Sequence, residues 1–113
     1  MNEHKKELIQ AYKNRPLVGG VCIIRNTQNG RYLLETVTNP QGSQNRFLFA
    51  QQTNTCLSSR LQRDWSTFGN EVFNFEILEE LLQKEEQTVE EFQEELKILG
   101  EVWAEKFDAS LSY

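Results

Sequence analysis

Five arginines, Arg25, Arg31, Arg46, Arg60 and Arg63, are the residues of this 113-residue chain with the most evident capacity for recognition chemistry. A guanidinium matches phosphate oxygens bidentately, so such a set offers sequence-independent contacts to a nucleic-acid backbone. Arg60 and Arg63 stand three apart and would share a helix face. The same five residues also suit an ordinary solvated surface. Charge is uneven around them: residues 13–66 carry seven cations against two anions, and residues 67–113 carry three lysines against thirteen acids, within a net charge of -5. An acidic total disfavours tight nonspecific binding to DNA, while the basic middle permits a local contact. The acids alternatively form the solvated face of a C-terminal helix.

Other chemistry has little support. Cys22 and Cys56 are the only cysteines and form no CxxC pair, which suits a reducing compartment, with one disulfide as the alternative. His4, the sole histidine, has no partner at metal-ligand spacing, and no histidine is placed to activate Cys22, which reads as a small hydrophobe in a strand. No phosphate loop, dinucleotide fingerprint or nucleophile elbow is present, and the Ser58-Ser59 pair has no nearby base. No metal and no cofactor are therefore expected. The N-terminal MNEHKKELIQAY lacks the apolar core of a signal peptide, and no apolar run reaches membrane-spanning length. The expectation is a cytoplasmic protein with no membrane partner.

The elements that must position these side chains follow from periodicity. Residues 1–15 place Leu8, Ala11 and Tyr12 at helical spacing ahead of Pro16, predicting a short N-terminal helix. Val21 to Arg25 and Arg31 to Val37 flank TQNG, whose Asn29-Gly30 pair favours positive φ, and predict a β-hairpin. Residues 38–55, with Pro40, Gly42 and many amides, suit a loop, although 45–51 could form a short helix. A helix capped near Thr53 to Thr55 would align Leu57, Leu61 and Trp65, ending before Gly69. EVFNFEIL alternates as a third strand, with Phe73, Phe75 and Ile77 on one face. Thr88 and Glu91 form a capping box for a final helix with an apolar stripe of Val89, Phe92, Leu96, Leu99, Trp103 and Phe107. The prediction is one α/β (α+β) domain over 1–113, with its core at 20–107: a small three-stranded, mainly antiparallel sheet with flanking helices.

In that order, several strings resemble the GIY-YIG nuclease superfamily, especially the N-terminal domains of intron-encoded homing endonucleases. GVCIIRN at 20–26, then TQNG and LLET at 33–36, is similar to the family's GIYxIxN, turn and YIGS. LSSRLQRDWSTFG running into FNFEILEEL resembles the family's middle helix and third strand, and EVWAEKF its closing helix with a Trp. The resemblance spans about residues 20–107 and implies a site of two tyrosines, one arginine and a metal-binding glutamate. Those positions fall on Cys22, Leu33, Ser43 and Gly100, and the motif glycine on Glu35. Tyr32, beside Leu33, points to the other face of a strand, and Glu101, beside Gly100, is rotated about 100° around a helix.

The resemblance thus implies a catalytically inactive GIY-YIG-like domain that binds nucleic acid, DNA above all, through the five arginines without cleaving it. The alternative is a protein-interaction or assembly module on the same scaffold. An active endonuclease using Mg²⁺ would need Glu101 or Glu76 to converge with Arg46 and Tyr32 in a single cleft.

Overall fold

The structure, a computed structural model, describes residues 16–113; the expected N-terminal helix lies outside the described residues. Strand β1 (Val18–Asn26) is central in a three-stranded antiparallel sheet of order β2–β1–β3, with β2 at Tyr32–Val37 and β3 at Phe73–Leu82. Its GGVCII core is buried on both faces, as a strand between two helical layers must be. Residues 27–31 turn the hairpin, closed by Gly30 N–H donating to the Asn26 carbonyl at 2.9 Å. Of the Asn29-Gly30 pair only Gly30 takes positive φ, +76°; Asn29 instead accepts the Arg31 N–H on its side chain.

Among the described residues three helices cover the sheet: α1 (Pro40–Thr53), α2 (Gln62–Phe68) and α3 (Val89–Ala104). The first corrects the loop reading of 38–55. Asn39 caps it by accepting the Gly42 N–H at 3.0 Å, and Pro40 occupies its first turn, where no N–H is needed. Asn54 closes it in the left-handed conformation (φ 52°) and accepts from Trp65 Nε1 and Asn70 Nδ2, tying the end of α1 to α2 and the entry to β3. The middle helix is shorter than expected: it starts at Gln62, after a turn through Arg60, and Leu57 is 56% exposed rather than part of its buried face. The α3 capping box is present, with Thr88 Oγ1 accepting the Glu91 N–H at 3.1 Å.

Period two separates two cores. Ile24, Leu33 and Phe75 face α1 and α2, meeting Phe47, Ala50, Leu61 and Trp65, with Phe73 stacked on Trp65 at 5.2 Å. On the other face Gly19 meets Phe92 and Leu96 of α3, and Tyr32 meets Phe107. Each fully buried apolar side chain of this size contributes about 1.5–3 kcal/mol of transfer free energy. Gly20 is compact for a reason: a Cβ there would lie 2.8 Å from both the Glu79 carbonyl oxygen and the Pro40 ring. Between Val21, which pairs with Glu79, and Cys22, which pairs with Ile77, the register shifts by one, leaving Leu78 as a bulge in β3.

Candidate functional site

A cavity of about 240 Å³ lies between the sheet and the α1–α2 layer. Buried Ile24, Leu33, Phe47, Leu61 and Trp65 form its floor, and the more exposed Glu35, Ser43, Arg46 and Ser58 its rim. Strand alternation puts Leu33 and Glu35 on this face of β2, and α1 brings Ser43 and Arg46, three apart, to the opposite side. The rim therefore combines one cation, one carboxylate and two hydroxyls over an apolar base. It can hold an anionic group at Arg46 and hydrogen-bond its substituents. It lacks a histidine or an activated thiol.

Cys22 is adjacent in the sheet, opposite Glu35 in the hairpin register. It is buried at 2% exposure, and burial, reinforced by the Glu35 and Glu80 carboxylates, pushes its thiol up to about 11. A thiol held in that form is a poor nucleophile at neutral pH. Both cysteines are free.

Gly100 lies on the opposite side of the sheet. An added Cβ at this position in α3 would stand 2.5 Å from the Thr36 methyl, so the glycine admits a close approach of α3 to β2. Beside it, Tyr32, Glu35, Thr36 and Glu101 border a second, more open groove. Glu101 and Tyr32 thus share a groove, while Arg46 lines the cavity on the other face and Glu76 is paired with Arg25 at 3.4 Å. Neither Glu101 nor Glu76 therefore meets both Arg46 and Tyr32 in one cleft, and among the described residues no group of three or more His, Cys, Asp or Glu is arranged to hold a metal. Glu35 borders both clefts. Sequence reasoning treated it only as a replacement for a motif glycine, although its place on the edge strand was readable from the hairpin pattern.

The arginines do not form one patch. Arg25 is engaged by Glu76 and lies over the Phe107 ring at 5.6 Å. Arg31 lies over the Tyr113 ring at 4.3 Å and 3.9 Å from Asp64. Arg46, Arg60 and Arg63 are exposed and make no ion pair among the described residues. Arg60 sits in the turn before α2 and Arg63 within it, so they do not share a helix face as expected.

Asp64 was overlooked in the sequence and organises the hairpin end. It accepts from Tyr113 Oη at 2.7 Å, Asn29 Nδ2 at 3.0 Å and Asn26 Nδ2 at 3.4 Å. The Tyr113 and Asn29 bonds, with the Arg31 charge, hold its carboxyl below the usual range, and burial together with the Asp64 bond raises the Tyr113 phenol. Tyr113 N–H also donates to the Tyr32 carbonyl, clamping the last residues of the chain along β2. Among the described residues no helix is long and apolar enough to cross a membrane. Comparison with protein-family models, curated proteins and solved structures gave no match for this chain.

Proposed function

We propose that this chain is a GIY-YIG-like domain that engages nucleic acid without cleaving it. The supporting observation is the cavity beneath α1 and α2, which carries on its rim Arg46, a cation with no ion pair among the described residues, with Leu33 and Ser43 where the resemblance calls for tyrosine and arginine. Leucine and a lone serine neither orient a phosphate nor stabilise its pentavalent transition state. Phosphate contacts fall to Arg46, Arg60 and Arg63, the three arginines without ion pairs among the described residues. DNA is the intended ligand, and no Mg²⁺ takes part.

Labelled duplex and branched DNA titrated with the protein in Mg²⁺, at two salt concentrations, tests this reading. Anisotropy reports binding and a gel of the same samples reports cleavage. Salt-sensitive binding to intact DNA is expected; metal-dependent cuts or the absence of binding overturn it. A second reading, a protein-interaction module, draws on Leu48 and Phe49 of α1, which are 49% and 64% exposed side by side.

A further inference from the structure

β3 is ten residues long and forms an edge of the sheet, and among the described residues no segment pairs with its outer side. Among the described residues the one hydrogen bond to this outer edge is at its start, where Gln51 Nε2 donates to the Phe73 carbonyl at 2.8 Å. At about 3.3 Å per residue the strand presents roughly 33 Å of backbone donors and acceptors. Protein edges of this length are commonly blunted by proline, lysine or a short strand, and FNFEILEELL has neither residue. Among the described residues, the bulge at Leu78 and the charges of Glu76, Glu79 and Glu80 are its only such devices.

The two faces of this edge differ in chemistry. Phe73, Phe75 and Ile77 face the α1 layer, and the edge borders a groove of about 420 Å³ in which Phe47, Leu48 and Phe75 are joined by the polar Gln44, Gln51, Asn74, Arg25 and Glu76. Glu76 and Glu79 face the α3 side, where Arg25 and Trp103 Nε1 engage one oxygen of each while leaving both side chains exposed. From Phe73 to Glu79 an added strand would thus meet apolar side chains on one face and Glu76 and Glu79 on the other; beyond the bulge Glu80 joins the first face and Leu81 the second. A second copy of the chain is a poor match. The antiparallel register pairing all of β3 with itself sets Glu76 opposite Glu79 twice, and like charges directly opposite are destabilising.

We infer that the outer edge of β3 is a strand-addition site for an extended segment of another protein in which apolar and basic residues alternate. Backbone hydrogen bonds would supply affinity, and the alternate side chains would supply selection, apolar ones toward Phe75 and basic ones toward Glu76 and Glu79. The site shares Phe47 and Phe75 with the wall of the cavity but not its charged rim, and the inference does not rest on nucleic-acid binding.

The test uses the full chain and two capped ten-residue peptides, one alternating valine with lysine and one alternating valine with glutamate. Amide hydrogen exchange and salt-dependent binding are measured, alone and with the Glu76→Lys/Glu79→Lys variant, whose near-UV circular dichroism checks folding. The lysine peptide should slow exchange of β3 amides by about tenfold or more, more weakly in high salt, and the glutamate peptide should not. The charge-reversed variant should exchange these preferences; should it not fold, the comparison of the two peptides on the unaltered chain decides. Four results overturn the inference: no slowing in β3, equal slowing by both peptides, protection that rises with protein concentration alone, or an outer edge already protected in the dilute free chain.

Discussion

Replacing Asp64 by alanine removes one acceptor from three donors, and the loss can be worked bond by bond. Asn29 is exposed and regains water, so its bond contributes little. Asn26 is fully buried, but its 3.4 Å bond to Asp64 is long and its Nδ2 retains Tyr113 Oη at 3.1 Å. The Tyr113 bond at 2.7 Å, to a buried carboxylate, dominates. A hydrogen bond to a charged group contributes about 1.5–3 kcal/mol, and stranding the half-buried phenol adds to its loss, so Asp64→Ala should cost about 2–4 kcal/mol. Tyr113→Phe should cost less, and the two together less than their sum by about 1 kcal/mol or more. Urea unfolding followed by fluorescence reads this directly, since Trp65 adjoins Asp64 in the chain and stacks on Phe73.

The pH dependence gives an independent check. The folded carboxyl of Asp64 titrates below its unfolded value, so its contribution is full above the ordinary aspartate range and is lost as pH falls through the folded value. The stability gap between the native chain and Asp64→Asn should therefore close on acidification from roughly pH 5 downward. A cost below about 0.5 kcal/mol for Asp64→Ala, additive double mutants, or a gap unchanged with pH would refute the reasoning.

Tyr113 titrates in the opposite sense: with its folded phenol raised, its contribution persists below the ordinary tyrosine range and is lost as pH rises through the folded value, a loss absent from Tyr113→Phe in alkaline unfolding curves. At pH 8 a thiol reagent should modify half-buried Cys56 and spare Cys22 until the chain unfolds, as mass spectrometry of timed samples would show. Gly20→Ala should destabilise by about 1–3 kcal/mol in thermal melts, because both the Glu79 carbonyl and Pro40 must move. Arg46→Ala and Arg63→Ala should each lower the logarithmic salt slope of DNA binding by about 1, whereas Arg25→Ala, whose guanidinium is held by Glu76, should change it less.

The hairpin, the third strand and the last helix were legible because each carries its own period or cap: GGVCII beside an Asn-Gly pair, alternation in FNFEIL, Thr88 with Glu91. Helix α1 was hidden for a physical reason. It buries Phe47 and Ala50 but leaves Leu48 and Phe49 in solvent, so no apolar stripe emerges, and its amides and Gly42 imitate a loop. The Asn39-Pro40 start signal was present and was outweighed by that composition. Leu57 misled in the other direction, since helical spacing from Leu61 and Trp65 continued into a turn. The cavity rim and the Asp64 cluster had no local signature: Asn26, Asp64 and Tyr113 meet across 87 positions of sequence, a proximity created only when the sheet and its helices assemble.

The notch between Gly100 and Thr36 sets how near α3 can lie to β2. With the Thr36 methyl seated 2.5 Å from where a Cβ would stand, any larger residue at position 100 must turn the Thr36 side chain or move α3 away from β2. Filling position 100 and trimming position 36 are therefore coupled, and the two changes together should cost less stability than their sum. The fit of one methyl group thus ties the composition of an edge strand to that of the helix laid over it.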